Sequence, residues 1–245
     1  MTAFKDRTGE NRVNNEGCKF KIIEYFGWDN CTIEFPDGNI LKNISYGNIQ
    51  KGNVKNPFHR SVYGVGYTGI GKYTSKKDIK KYTMWVNLIK RCYSLKCQEK
   101  HPSYKECLVD GHWHNFQVFA KWVENNFKQG WQLDKDILKK GNKIYSPETC
   151  VFVPQEVNLV FVNKHNHRGI YPIGVHITEE RRFQAAINKN SKRIVLGTFA
   201  TPEEAFQVYK IAKEEYIKEM ADKWRGQITE PTYYAMYAYK VEITD

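Results

Sequence analysis

Apolar and polar residues alternate over short segments in the first third of the chain, a pattern that predicts β-strands. Residues 20–25 and 31–35 are rich in β-branched and aromatic side chains, and Ile40-Leu41 follows the hairpin signal Asp37-Gly38. We expect these segments to pair in a small twisted sheet or SH3-like barrel. This β-rich N-terminal unit is assigned to residues 1–75.

The apolar spacing lengthens to three and four residues in the middle of the chain, which predicts helices. The first helix carries Met84, Trp85, Leu88, Ile89 and Cys92 on one face. A second begins at about Trp113, ends before Gly130, and has an apolar face made of Phe116, Phe119, Trp122, Val123 and Phe127. These aromatic stripes are interpreted as core and not as a surface on which bases stack.

After Gly130 the pattern predicts strands over 132–138 and 150–153, and then a helix from Pro154 to about Val162. The whole middle segment, residues 80–163, is treated as one module.

Three strands and a helix are predicted in the C-terminal third. The strands cover 175–178, 182–187 and 193–197, and residues 188–191 turn the second strand into the third. The helix is signalled by Thr201-Pro202-Glu203-Glu204, in which Thr201 caps the N-terminus and Glu204 completes a capping box. Its single apolar face predicts that it covers one side of the sheet, which leaves the other side for a partner.

Taken together, these patterns predict an α+β protein in four parts: 1–75, 80–163, 168–225 and a Tyr-rich end at 226–245. For Tyr233–Tyr239 within that end, a final strand and a partner-binding tail are both open.

The charge of the chain favours a polyanionic partner. The formal net charge is +11, and residues 51–100 hold twelve basic side chains against two acidic ones. Residues 168–199 hold six basic side chains against two acidic ones. Such local excess attracts nucleic acid, for which Lys76 and Lys77 are candidate phosphate contacts; a basic protein without this partner is the alternative.

The same composition argues against other classes of protein. No apolar run approaches the about 20 residues that span a bilayer, and the polar start of the chain lacks the apolar core of a signal peptide. We therefore expect a cytoplasmic location and cysteines in the thiol state. Cys92, Cys97, His101 and Cys107 follow no standard zinc-ligand spacing, so no structural zinc is expected.

Residues 174–209 resemble the AP2 DNA-binding domain. The resemblance is carried by Gly174-Val175-His176, by 182–187 and by 192–199, and most specifically by Leu196-Gly197-Thr198-Phe199 followed by Thr201-Pro202-Glu203-Glu204-Ala205. In that family a three-stranded sheet reads the major groove of DNA. The resemblance implies DNA contacts from His176, Thr178, Arg181, Arg182, Gln184, Asn188, Lys192 and Arg193. Val195 stands where plant members usually carry Trp, so their base preference is not transferred.

The middle module resembles phage proteins related to HNH homing endonucleases, which cut DNA with a divalent metal in a ββα-metal fold. The resemblance is carried by Arg91-Cys92-Tyr93, by Leu133-Asp134-Lys135-Asp136 and by 145–150. It implies Asp134 and Asn158 as ligands of Mg²⁺ or Mn²⁺, and Asp136 as a further ligand or replacement base. Lys135 stands where the family has its general-base histidine, for which His165 and His167 are further candidates.

Two functions are therefore expected from the sequence. The first is a homing-type endonuclease or nickase that binds double-stranded DNA in the host cytoplasm. The alternative is a catalytically inactive, sequence-selective DNA-binding regulator with the same architecture. A structural protein without a DNA partner would require both basic segments to be incidental.

Overall fold

The computed structural model describes residues 5–162 and 170–244. The predicted α+β class is confirmed, because the described residues form several small sheets and seven α-helices. The chain divides into two compact units, residues 1–125 and 126–245. In the described part of the chain no helix is both long and apolar enough to cross a membrane.

A four-stranded antiparallel sheet opens the first unit. Its strands β1 (Asn11–Val13), β2 (Lys19–Tyr25), β3 (Cys31–Glu34) and β4 (Ile40–Ile44) lie in chain order, and helix α1 (Tyr46–Gln50) follows. Alternate side chains of β2 and β3 point to one face, so Phe20, Ile22 and Ile33 are buried together. The predicted strands at 20–25, 31–35 and 40–41 are confirmed, and β1 adds an edge strand that the pattern did not predict.

After a stretch of turns at 51–78, the remainder of the first unit is mainly helical. It contains α2 (Ile79–Tyr93), α3 (Leu95–Lys100), the short strand β5 (Leu108–Val109) and α4 (Phe116–Asn126). The predicted second helix starts later than expected, because a 3₁₀ turn occupies Gly111–His114. Trp85 and Trp113 are fully buried, and the indole N–H of Trp85 donates to the carbonyl of Trp113 at 2.7 Å. The interpretation of the aromatic stripes as core is confirmed.

The second unit begins with two antiparallel strands and a helix. Strand β6 (Trp131–Asp134) pairs with β8 (Val151–Pro154), the short β7 (Ile144–Tyr145) lies between them in sequence, and α5 (Gln155–Phe161) follows β8. The predicted strand over 132–138 is wrong beyond residue 134. Asp134 Oδ1 accepts the backbone N–H groups of Asp136 and Ile137, at 2.7 and 2.8 Å, which turns the chain out of the sheet.

A three-stranded antiparallel sheet and a long helix follow. Strands β9 (Val175–Ile177), β10 (Phe183–Lys189) and β11 (Lys192–Phe199) lie in the order β11-β10-β9, and α6 spans Pro202–Lys223. The strand and helix predictions are confirmed here, and so is the capping box of Thr201 and Glu204. Asn190 and Ser191 have φ of 50° and 62° between β10 and β11, as a two-residue hairpin turn requires.

One face of this sheet packs against α6. Val175, Ala185 and Ile187 from the strands share a buried core with Ala205, Tyr209, Tyr216 and Ile217 of the helix. Gly174, with φ of +77°, lies directly against the Tyr209 ring, so that an added Cβ would overlap the ring. The glycine therefore sets how closely the chain before β9 approaches the helix.

The Tyr-rich C-terminus is not the final strand that was one of its two predicted alternatives; partner binding by this segment stays a prediction. Residues Glu230–Ala238 form helix α7, in which Met236 is buried in the core of the second unit. The hydroxyls of Tyr233 and Tyr237 donate to the Asp222 carboxylate at 2.9 and 2.5 Å, which attaches α7 to the end of α6. Tyr233 and Tyr237 therefore contribute to the fold, whereas Tyr234 is 64% exposed.

Gly174→Ala is expected to destabilise the protein by about 3 kcal/mol, because backbone strain at positive φ adds to overpacking against Tyr209. The measurement is the midpoint of urea unfolding followed by circular dichroism. Gly226→Ala is the matched control, since Gly226 also has φ of +77° and a Cβ there would meet nothing within 4 Å. Equal losses in the two variants would contradict the role of the Tyr209 contact.

Candidate nucleic-acid interface

The register of the sheet shows which predicted side chains share the face opposite α6. Gln184 pairs with His176 on one side and Thr198 on the other, and Asn188 pairs with Arg193. Directly paired residues of antiparallel strands point to the same face. These five residues, with Ala186 and Val195, are called the polar face below. Asn188, Arg193 and Thr198 are exposed, while His176 and Gln184 are half-buried.

A β-bulge determines which residues of β11 reach this face. The pairing shifts between Ala185, which faces Gly197, and Ala186, which faces Val195. Leu196 is therefore the extra residue of β11, and the alternation of side chains reverses across it. Without the bulge, Arg193 and Thr198 would lie on opposite faces. Because of it, both stand on the polar face.

Arg193 reaches across the sheet and connects all three strands. Its guanidinium donates to Gln184 Oε1 at 3.1 Å and contacts His176 Nε2. Partial burial, followed by the positive charge of Arg193, lowers the pKa of His176 below its usual value. The ring is therefore neutral near pH 7, and the only strong cation at the centre of the polar face is Arg193.

Thr178, Arg181 and Arg182 lie in the loop between β9 and β10, at one end of the sheet. The loop is closed by Thr178, whose N–H donates to the Arg182 carbonyl at 2.8 Å and whose hydroxyl accepts the Arg182 N–H at 3.2 Å. Arg181 adopts φ of 58°, and both arginines are exposed. Glu179 and Glu180 share this loop, so its net charge is zero.

Lys192 stands apart from the other residues predicted to contact DNA. It pairs with Lys189, and Lys189 Nζ donates to the Glu219 carboxylate of α6 at 2.9 Å. The register therefore assigns Lys192 to the side of the sheet that α6 covers. Of the six basic residues counted over 168–199, Arg168 lies outside the described residues, and only Arg193 belongs to the polar face.

Lys76 and Lys77 are exposed in the turn before α2, in the first unit. Ion pairs with acids from outside residues 51–100 reduce the basic excess that was counted along this segment. Lys72 and Lys81 form ion pairs with Glu124 at 2.9 and 3.4 Å, because α4 brings that acid from outside the counted range. Lys55 pairs with Glu16 at 2.9 Å in the same way. Sequence counting alone could not identify these partners.

The residues expected to hold a metal ion lie near one another but have other partners. Lys135 Nζ donates to both carboxylate oxygens of Asp136, at 2.7 and 2.9 Å, and to the Asn142 carbonyl at 2.6 Å. Asn158 Nδ2 donates to Gln132 Oε1 at 2.6 Å, on the strand face that also carries Asp134. Burial raises the pKa of the Asp134 carboxyl.

This donor set does not fit Mg²⁺ or Mn²⁺, which require several oxygen ligands around one point. One oxygen of Asp134 is used by the turn, and Asp136 is neutralised by an ammonium group. The bond of Asn158 to Gln132 uses its amide nitrogen and not the oxygen that would bind a metal. Among residues 5–162 and 170–244, no three His, Cys, Asp or Glu side chains are grouped as metal ligands. His165 and His167 lie outside these ranges.

Thr198, Ala186 and Val195 belong to the polar face but were not among the predicted contacts. Gly197 within a strand pattern was the signal that could have revealed the bulge and so placed Thr198.

Comparison with protein-family models, curated proteins and solved structures finds no match to this chain.

Asp134→Asn is expected to leave the protein as stable as the wild type or more stable at pH 7. Burial raises the pKa of Asp134 in the folded protein, so the fold favours the protonated carboxyl. The resulting stability is complete below the pKa of the unfolded chain and is lost as the pH rises through the higher pKa of the folded state. Asparagine keeps the acceptor of the turn without the charge. The measurement is the urea midpoint at pH 7 and near pH 4, where the advantage of asparagine should disappear.

Asp134→Ala serves as the control, because it removes the acceptor for two backbone N–H groups and should cost about 1–3 kcal/mol at either pH. A loss in Asp134→Asn as large as that in Asp134→Ala at pH 7 would show that the structure needs the negative charge itself.

Proposed function

We propose that the protein binds double-stranded DNA and that the polar face of the β9–β11 sheet reads its sequence. The observation that carries the proposal is Arg193, an exposed guanidinium held by Gln184 and His176 on the sheet face opposite the helix. An arginine fixed in this way presents several N–H donors in a rigid plane. That plane matches the two acceptors on the major-groove edge of guanine.

The two-stranded form of the β10–β11 hairpin supports the same partner. The major groove of B-DNA is about 12 Å wide and admits a two-stranded β-ribbon. The β10–β11 hairpin is such a ribbon, and it presents donors and acceptors from Gln184, Asn188, Arg193 and Thr198 on one face. Readers of this kind place strands in the groove and use flanking residues on phosphates. Arg181 and Arg182, at the end of the sheet, are suited to phosphates.

The net charge of +11 supports a polyanion as the partner of the whole chain. Lys76 and Lys77, exposed in the first unit, are proposed to contact phosphates without reading bases. Their contribution is electrostatic, so it should be the same for every duplex and should weaken with salt.

The architecture supports a finer proposal for the three predicted units. The β1–β4 sheet with α1 is proposed as the SH3-like unit, β6, β8 and α5 as the ββα module of the HNH resemblance, and β9–β11 with α6 as the AP2-like unit. The pairing of β6 with β8, followed directly by α5, favours descent from a nuclease.

The architecture favours descent from a nuclease, but the expected metal ligands do not favour nuclease activity. One oxygen of Asp134 and both oxygens of Asp136 form hydrogen bonds within the turn, which argues against their use as ligands of a divalent metal. The function that the geometry supports best is therefore the second of those expected from the sequence: a sequence-selective DNA-binding regulator, acting in the cytoplasm of a host cell and built on a nuclease architecture.

Arg193→Ala is expected to reduce selectivity for a duplex selected by the wild type from a randomised pool by about 5- to 100-fold, as loss of one bidentate base contact does. Selectivity is measured as the ratio of the Kd for random duplex to the Kd for the selected one. Lys192→Ala is the matched control, because the register assigns this adjacent cation to the opposite side of the sheet.

Lys76→Ala should weaken binding to both duplexes equally and lower the slope of log affinity against log salt by about one.

Equal loss of selectivity in Arg193→Ala and Lys192→Ala would contradict reading by the polar face. Affinity that does not change with salt would contradict DNA binding itself.

Incubation with supercoiled plasmid separates the two expected functions. We expect retarded but uncut DNA with Mg²⁺, with Mn²⁺ and with EDTA, because the donor set of Asp134, Asp136 and Asn158 does not fit these ions. Agarose gel electrophoresis is the measurement. Metal-dependent nicking by the wild type that Asp134→Ala abolishes would instead establish an endonuclease.

A further inference from the structure

We propose that His176 acts as a positioning residue that holds Arg193 in its reading geometry through a neutral imidazole, and not as a direct DNA contact. The inference rests on the proposed DNA-binding function and on the contacts of Arg193 with His176 Nε2 and Gln184 Oε1. It makes Arg193 the reader and His176 and Gln184 its supports, although all three were expected to contact DNA.

The hydrogen-bond chemistry of the pair fixes the state of the ring. A guanidinium has only N–H donors, so the atom that it contacts must accept. His176 Nε2 can accept only when it carries no proton, which places the ring proton on Nδ1 and leaves the imidazole neutral. Gln184 supplies a second acceptor, its side-chain carbonyl oxygen. The two acceptors constrain a side chain that would otherwise rotate freely above the sheet.

The surroundings of His176 keep the ring in this state. Gln184 from β10 and Arg193 from β11 face it, while α6 packs on the other side of the sheet. Partial burial and then the Arg193 charge lower the pKa of His176, and they outweigh the hydrogen bonds with Gln184 and the Val175 backbone, which raise it. The remaining charged groups near its strand are Glu179, Glu180, Arg181 and Arg182 of the exposed β9–β10 loop. Protonation of His176 would place a second cation against Arg193 and remove the acceptor.

Acidification therefore acts on selectivity separately from affinity. A protonated His176 adds positive charge, which strengthens attraction to any duplex. At the same time it releases Arg193, which lowers discrimination between duplexes. A loss of selectivity without a loss of overall affinity is the signature that distinguishes this mechanism from simple unfolding of the sheet.

The test compares His176→Gln and His176→Ala in the full chain, with the duplex selected by the wild type and random duplex as probes. Glutamine offers an acceptor at every pH, whereas alanine offers none. At pH 7.5, His176→Ala should lose about tenfold in selectivity, the effect of a hydrogen bond to a charged group. His176→Gln should stay within about twofold of the wild type. Below the pKa of His176, wild-type selectivity should fall while that of His176→Gln stays constant.

A double-mutant cycle with Arg193→Ala separates positioning from direct contact. If His176 acts through Arg193, adding His176→Ala to Arg193→Ala should cause no further loss. Additive losses, or a selectivity of His176→Ala equal to that of the wild type, would overturn the inference and leave the proposed function intact. A wild-type protein that binds no duplex at any salt concentration would overturn both.

Discussion

Everything proposed for the C-terminal sheet depends on the burial of one helix against one of its faces. The side chains of α6 and the core-facing residues of β9 and β10 remove each other from water, and this hydrophobic contact fixes which face of the sheet remains polar. The capping box of Thr201 and Glu204 determines where the helix begins, and Gly174 lets the chain approach Tyr209. The chemistry of the opposite face is therefore a consequence of packing.

The elements of this sheet could be predicted because their signals are local. The capping residues, the apolar period of the helix and the turn residues each depend on a few neighbours in sequence. The C-terminal helix α7 was missed because four tyrosines within 233–239 suggested β structure. Its start was nevertheless encoded, since Thr229 caps the helix and a proline lies in its first turn.

The composition of the site was harder to predict because it depends on contacts between distant residues. Strict alternation could not place Arg193 and Thr198 on one face, which required the bulge at Leu196. Charge counting overstated the basic segment of the first unit, since Glu124 and Glu16 come from other elements. In the same way, two acids around Lys135 suggested metal ligands, whereas their hydrogen bonds form a closed turn.

The two-residue connection between β10 and β11 also restricts how this protein could diverge. Asn190 and Ser191 both adopt left-handed backbone conformations, and the strands that they join are paired up to the turn. Inserting or deleting one residue within β11 would rotate the side chains beyond it by half a turn and exchange the two faces of the strand. A change of length at 179–181, between the paired ends of β9 and β10, would leave the faces of both strands unchanged. Descendants of this chain would therefore change the chemistry of the polar face through substitutions on the sheet and length changes in that loop, while the hairpin kept its length.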